Sequence, residues 1–129
     1  MKNNKKGFTL IELLIVIGII TILASAVIVA INPGRHFQQA RNATRWSHMN
    51  SIVSAVYTFS VDRRGVFPAC ITATPANVAT CTELVPDFIS LMPRDPQEGH
   101  SYMISFQGTR ILITSTAPEA IAAGVQVLQ

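Results

Sequence analysis

Apolar residues run almost without interruption from Phe8 to Ile31, and no side chain between Leu13 and Ile31 carries a charge. Coiled as a helix, this run would extend about 36 Å at 1.5 Å per residue, enough to cross the hydrocarbon core of a bilayer. Asn32-Pro33-Gly34 ends it. Proline removes an amide donor and disfavours helix at the residue before it, so a kink or short break is predicted there. A helical period then resumes over residues 35–64. Trp46, Met49, Ile52, Val53, Val56, Tyr57 and Phe59 share one broad face, and Ser47, Asn50, Ser51, Ser54 and Thr58 line the other. The apolar face is that of a helix packed on a core, and the small polar face is one that neighbouring chains could approach. Gly65, after Asp62-Arg63-Arg64, is the predicted stop. Past Gly99 the period changes to two: Tyr102, Ile104 and Phe106 alternate with Met103, Ser105 and Gln107. Gly108-Thr109 reads as a turn and Ile111 to Ser115 as the return strand. Pro118 breaks that strand, Glu119 to Ala123 is ambiguous, and Val125 to Leu128 reads as a short third strand. The predicted class is α+β: a long N-terminal helix, kinked or broken near Pro33, packed on a small antiparallel sheet.

Glu12 interrupts the apolar run near its start. A carboxylate carried to the bilayer centre costs about 2.5–3.5 kcal/mol on insertion scales, so this one needs a partner or a place near the headgroups. An ordinary single-pass anchor would meet the second condition. A secretory signal peptide is the other simple reading, with Lys2, Lys5 and Lys6 as the charged leader and Ala24-Ser25-Ala26 as the cleavage site. Phe8 to Leu23 is long for the apolar part of such a signal, and Val27 to Ile31 stay apolar beyond the cut.

The segment Lys5-Lys6-Gly7-Phe8-Thr9-Leu10-Ile11-Glu12-Leu13-Leu14 joins a basic leader, a glycine, a phenylalanine, a glutamate four residues after it and an unbroken apolar helix. It resembles the class III leader and N-terminal segment of type IV pilins and of the pseudopilins of type II secretion. The resemblance implies that Gly7 precedes the cut made by a prepilin peptidase and that Phe8 becomes the N-methylated N-terminus. It implies too that Glu12 pairs with the Phe8 amine of a neighbouring subunit. The implied partners are the prepilin peptidase and N-methyltransferase, an inner-membrane assembly machinery, and further copies of the chain in a homo-oligomeric helical filament. The implied location is the cytoplasmic membrane, N-terminus inside, and afterwards a filament on the cell surface. Lys2, Lys5 and Lys6 on one flank nearly balance Arg35, Arg41 and Arg45 on the other, so only the resemblance sets this orientation. The chain then divides into a leader (1–7), a filament-core helix (8–31), a break (32–34), an amphipathic helix (35–64) and a loop with the sheet (65–129). Many relatives carry a proline inside the apolar segment, whereas this chain has none between Phe8 and Asn32. Within the family a pilus subunit and a type II secretion pseudopilin both fit. A membrane-anchored adhesin or a minor pilin for DNA uptake is the reading from another class.

Charge narrows the partners. The formal charge of +3 and the pI near 9.2 suggest a basic protein, but the leader lysines supply all of the excess. Residues 8–129 are balanced, so the pI makes no case for nucleic acid. No acidic side chain lies between Glu12 and Asp62, while Arg35, His36, Arg41, Arg45 and His48 do. Arg41, Arg45 and His48 share a helical stripe. Carboxylates of other subunits, anionic lipid headgroups, DNA phosphates and plain solvent compete for it. Three arginines without interleaved exposed aromatics make a poor nucleic-acid footprint, and no nucleic-acid partner is expected.

Cys70 and Cys81 bracket ten residues of loop and strand formers. In an exported domain of this size a disulfide is expected, closing a loop of about 12 residues and stabilising by roughly 3 kcal/mol in the chain-entropy model. Two unrelated buried thiols are the alternative. Leu84 to Pro96 is similar to the pseudopilin segment in which a helical turn leads to a Pro-x-Asp-Pro turn and a loop that can bind calcium. Asp87, Asp95 and Glu98 are the carboxylates this implies. Calcium takes six to eight oxygens, so three side chains would need carbonyls and waters beside them, and a solvated turn competes. No cofactor is expected. Nor is an enzyme: there is no HExxH, no nucleophile motif beside the histidines and no glycine-rich phosphate loop.

Overall fold

The computed structural model describes residues 7–129, so Lys2, Lys5 and Lys6 lie outside the described residues. The chain separates into two compact units, Met1–His36 and Phe37–Gln129.

In the first unit, helix α1 spans Leu10–Ile31 and buries none of its side chains. A helix that is apolar all round with no polar face suits a bilayer or a bundle of like helices. It ends at Asn32, whose φ of 48° is left-handed, a conformation asparagine tolerates better than most residues. Helix α2, Pro33–Asp62, starts at the next residue. The interruption is therefore confined to Asn32: proline lacks only an amide that a first helical residue leaves unbonded, and its fixed φ already suits a helix.

In the second unit, α2 lays Met49, Ile52, Val53, Val56 and Phe59 into a core completed by Ile71, Val78, Leu84, Tyr102, Ile104, Ile111, Ile113, Val125 and Val127. Trp46 and Tyr57, expected on the same face, stay 42% and 37% exposed because they fall at the edge of the stripe. Ala55, Ser60 and Arg45 take buried positions instead. The helix closes with Gly65 N–H donating to the Ser60 carbonyl at 2.7 Å and Arg64 N–H to that of Val61 at 3.4 Å. This is a Schellman closure in which Arg64, at φ 56°, occupies the left-handed position one residue before Gly65.

The sheet is an antiparallel meander of four strands in sequence order. Strand β1 is Ala76–Asn77, β2 is Tyr102–Gln107, β3 is Arg110–Ser115 and β4 is Gln126–Leu128. Strands β2 and β3 pair from Tyr102↔Ser115 to Gln107↔Arg110. The two-residue turn between them has a positive φ only at Gly108, the position that a type II′ hairpin turn requires. Strand β1 was not legible: two residues inside the cysteine loop carry no period. The Cys70–Cys81 disulfide is formed, with 3-10 turns at Val78–Thr80 and Thr82–Leu84. The ambiguous stretch is helix α3, Pro118–Ala122, begun by its proline.

Candidate functional site

Two groups of side chains bear on function, one in each unit. The first is the start of α1. Gly7 and Phe8 precede the helix and are exposed, Phe8 at 90%. Thr9 is extended, with φ −82° and ψ 153°, and serves as the N-cap. Its N–H and its hydroxyl both donate to Glu12 Oε2 at 2.8 Å, and the Glu12 N–H donates to Thr9 Oγ1 at 3.3 Å. This reciprocal capping box satisfies amides that a helix start leaves unbonded, and it holds an anion at the positive end of the helix dipole. Within one chain, then, Glu12 is partnered by its own helix start. The spacing of Phe8 and Glu12 does not by itself point to Thr9, although Thr-x-x-Glu directly before an apolar run is the local signature of this box.

The second group overturns the open readings of the arginine stripe. Arg41 makes a bidentate pair with Glu119, Nε to Oε1 at 2.6 Å and Nη2 to Oε2 at 2.5 Å. Arg45 is fully buried. Its Nε and Nη2 grip the two oxygens of Asp95 at 2.9 and 2.8 Å, while Nη1 donates to Asn42 at 2.7 Å and to Glu119 at 2.6 Å. Asp95 also accepts from the Ser115 hydroxyl at 2.6 Å and the Gln97 N–H at 2.9 Å. His48 Nδ1 and the buried Tyr102 hydroxyl share a 2.9 Å hydrogen bond. The stripe is thus paired within its own chain: Arg45, carried into the core, requires carboxylates there, and Arg41, a third exposed, shares Glu119 with it at the rim.

The electrostatics follow from these bonds. The Arg41 hydrogen bonds, reinforced by Arg45 against the effect of burial, bring Glu119 down to about 2. Burial pushes the Asp95 carboxyl up, but the Arg45, Ser115 and Gln97 hydrogen bonds outweigh it and leave the group below the ordinary range. Hydrogen bonding to Asp95 raises Arg45 despite its burial, and burial raises Tyr102.

The calcium candidates are not brought together. Asp95 is buried and committed to Arg45, whereas Asp87 and Glu98 are exposed. Among the described residues no cluster of three or more His, Cys, Asp or Glu is arranged to hold a metal ion. The small polar face of α2 lines a shallow groove of about 720 Å³ against Pro86–Ser90. There the hydroxyls of Ser51, Ser54 and Thr58 turn back onto the carbonyls of Ser47, Asn50 and Ser54.

The first unit thus supplies a membrane-length apolar helix with a capped glutamate at its start, and the second a small disulfide-closed α+β domain. Residues 2–28, about a fifth of the chain, match the family model described as the prokaryotic N-terminal methylation motif. That motif is the class III prepilin leader of type IV pilins and pseudopilins, so the resemblance carried by Lys5 to Leu14 is borne out. Proteins with this motif are structural subunits, and α1 fits a membrane-anchored precursor. No curated protein and no solved structure gives a significant match to the chain.

Proposed function

We propose that the chain is a structural subunit of a type IV pilus-like filament, polymerising through α1. The observation that carries this reading is the methylation motif at residues 2–28, with Glu12 four residues beyond Phe8. The precursor sits in the cytoplasmic membrane with its leader inside. A prepilin peptidase cuts after Gly7, and the new Phe8 amine is methylated. During assembly the Glu12 carboxylate of one subunit pairs with the Phe8 amine of the next, and the α1 helices form the apolar core of the fibre with the sheet domains outside. Neither charge is tolerated alone in an apolar bundle, so only registers that join them are retained.

Glu12→Gln tests this. The variant is expected to lose residues 1–7 and gain one methyl group like the parent, by mass spectrometry, yet to give few filaments by electron microscopy. Normal filaments from it would sink the proposal. The Pro93-Arg94-Asp95-Pro96 turn favours a second reading, a type II secretion pseudopilin. Deleting the chain would then abolish secretion without removing any surface fibre. Persistent monomers of the processed chain would instead point to an anchored adhesin or a DNA-uptake subunit.

A further inference from the structure

We infer that Thr9 is a positioning residue for subunit joining: it ties one oxygen of the Glu12 carboxylate to the start of α1 and leaves the other for the amine of the next subunit. This rests on the pairing of Glu12 with the Phe8 amine proposed above. Both Thr9 donors converge on Oε2 at 2.8 Å, and among the described residues Oε1 accepts no hydrogen bond. The box uses atoms of residues 9 and 12 alone, so removing residues 1–7 takes away none of its donors or acceptors. A glutamate side chain is otherwise free to rotate, and fixing it before the partner arrives lowers the entropy lost on pairing. The tie also keeps the carboxylate hydrogen-bonded in apolar surroundings until the amine reaches it.

A threonine that merely caps the helix would show the same bonds, and the substitutions separate the two roles. Thr9→Ser keeps the donor hydroxyl. Thr9→Val keeps the shape and removes it. Thr9→Asp remains a good N-cap, accepting from the Glu12 N–H, but its ionised side chain donates nothing to the carboxylate. Each full-length variant is co-expressed with the unsubstituted chain, and its incorporation into filaments is measured by mass spectrometry relative to its processed pool in the membrane. Incorporation should fall about tenfold for Thr9→Val, the size of one hydrogen bond to a charged group. Thr9→Asp should fall as far and Thr9→Ser should stay near the parent. In a Glu12→Gln background, Thr9→Val should cause no further loss. Full incorporation of Thr9→Val or Thr9→Asp, or an undiminished Thr9→Val effect in the Glu12→Gln background, would overturn the role of Thr9. Normal incorporation of Glu12→Gln by itself would instead overturn the pairing on which the inference rests.

Discussion

Arg45 is the residue whose environment governs the most. Its guanidinium is fully buried and joins α2 to Asp95 in the loop before β2 and to Glu119 in α3. Removing Asp95 leaves the buried Arg45 with Glu119 as its remaining carboxylate and strips the carboxylate acceptors from its Nε and Nη2, so Asp95→Ala should cost about 3 kcal/mol, the low end for a broken buried pair. Urea unfolding of the detergent-solubilised chain measures this. Replacing Arg45 by Met together with Asp95 by Leu should recover part of the loss, because the buried charge is gone. The same cluster sets the acid limb of stability. Glu119 titrates near 2 in the folded chain against an ordinary 4.5, so in that interval the unfolded chain binds a proton that the folded chain does not. Stability is therefore fully present above about pH 5 and falls as pH drops toward 2, and Asp95, also lowered, adds to the loss. Urea midpoints at pH 7 and pH 3 should differ less in Glu119→Gln than in the parent.

At the scale of elements, helix ends decide more than helix interiors. Helix α1 starts on a capping box, and its end and the start of α2 are separated by the single left-handed residue Asn32. The end of α2 places Arg64 at φ 56°, a position where a side chain strains the backbone and glycine does not. Arg64→Gly should therefore stabilise the folded chain by about 0.5–1 kcal/mol, read as a higher urea midpoint at unchanged slope. The opposite result would mean that Arg64 contributes contacts that outweigh its strain. The hairpin and the apolar run were legible because their periods are local. Strand β1 was not: its two residues pair with Ile104 and Met103 far along the chain.

For the molecule as a whole, charges are distributed by use. Arg41, Arg45, Asp95 and Glu119 are paired with one another within the second unit, and the face of α2 carrying Ser51, Ser54 and Thr58, whose hydroxyls bond to carbonyls of the same helix, bears no charge. Hydroxyls already bonded to their own helix can be covered by a neighbour at little desolvation cost. If that face meets other subunits, Ser54→Arg should leave the urea midpoint within about 0.5 kcal/mol of the parent, as surface changes do. Incorporation into filaments, measured beside the unsubstituted chain, should drop. Equal incorporation would show that this face stays in solvent.

The N-terminal motif, the membrane-length helix, the core stripe of α2 and the hairpin are determined by the sequence alone, because each is a short-range pattern of residue types. The fate of the arginine stripe is not. Arg45 lies 50 residues from Asp95 and 74 from Glu119, and nothing in their local sequence distinguishes a carboxylate that will face solvent from one that will meet a buried guanidinium. Only folding, which brings the loop at Asp95 and helix α3 against α2, turned an apparent basic surface into an internal lock. The same packing took Asp95 away from the carboxylates proposed for calcium.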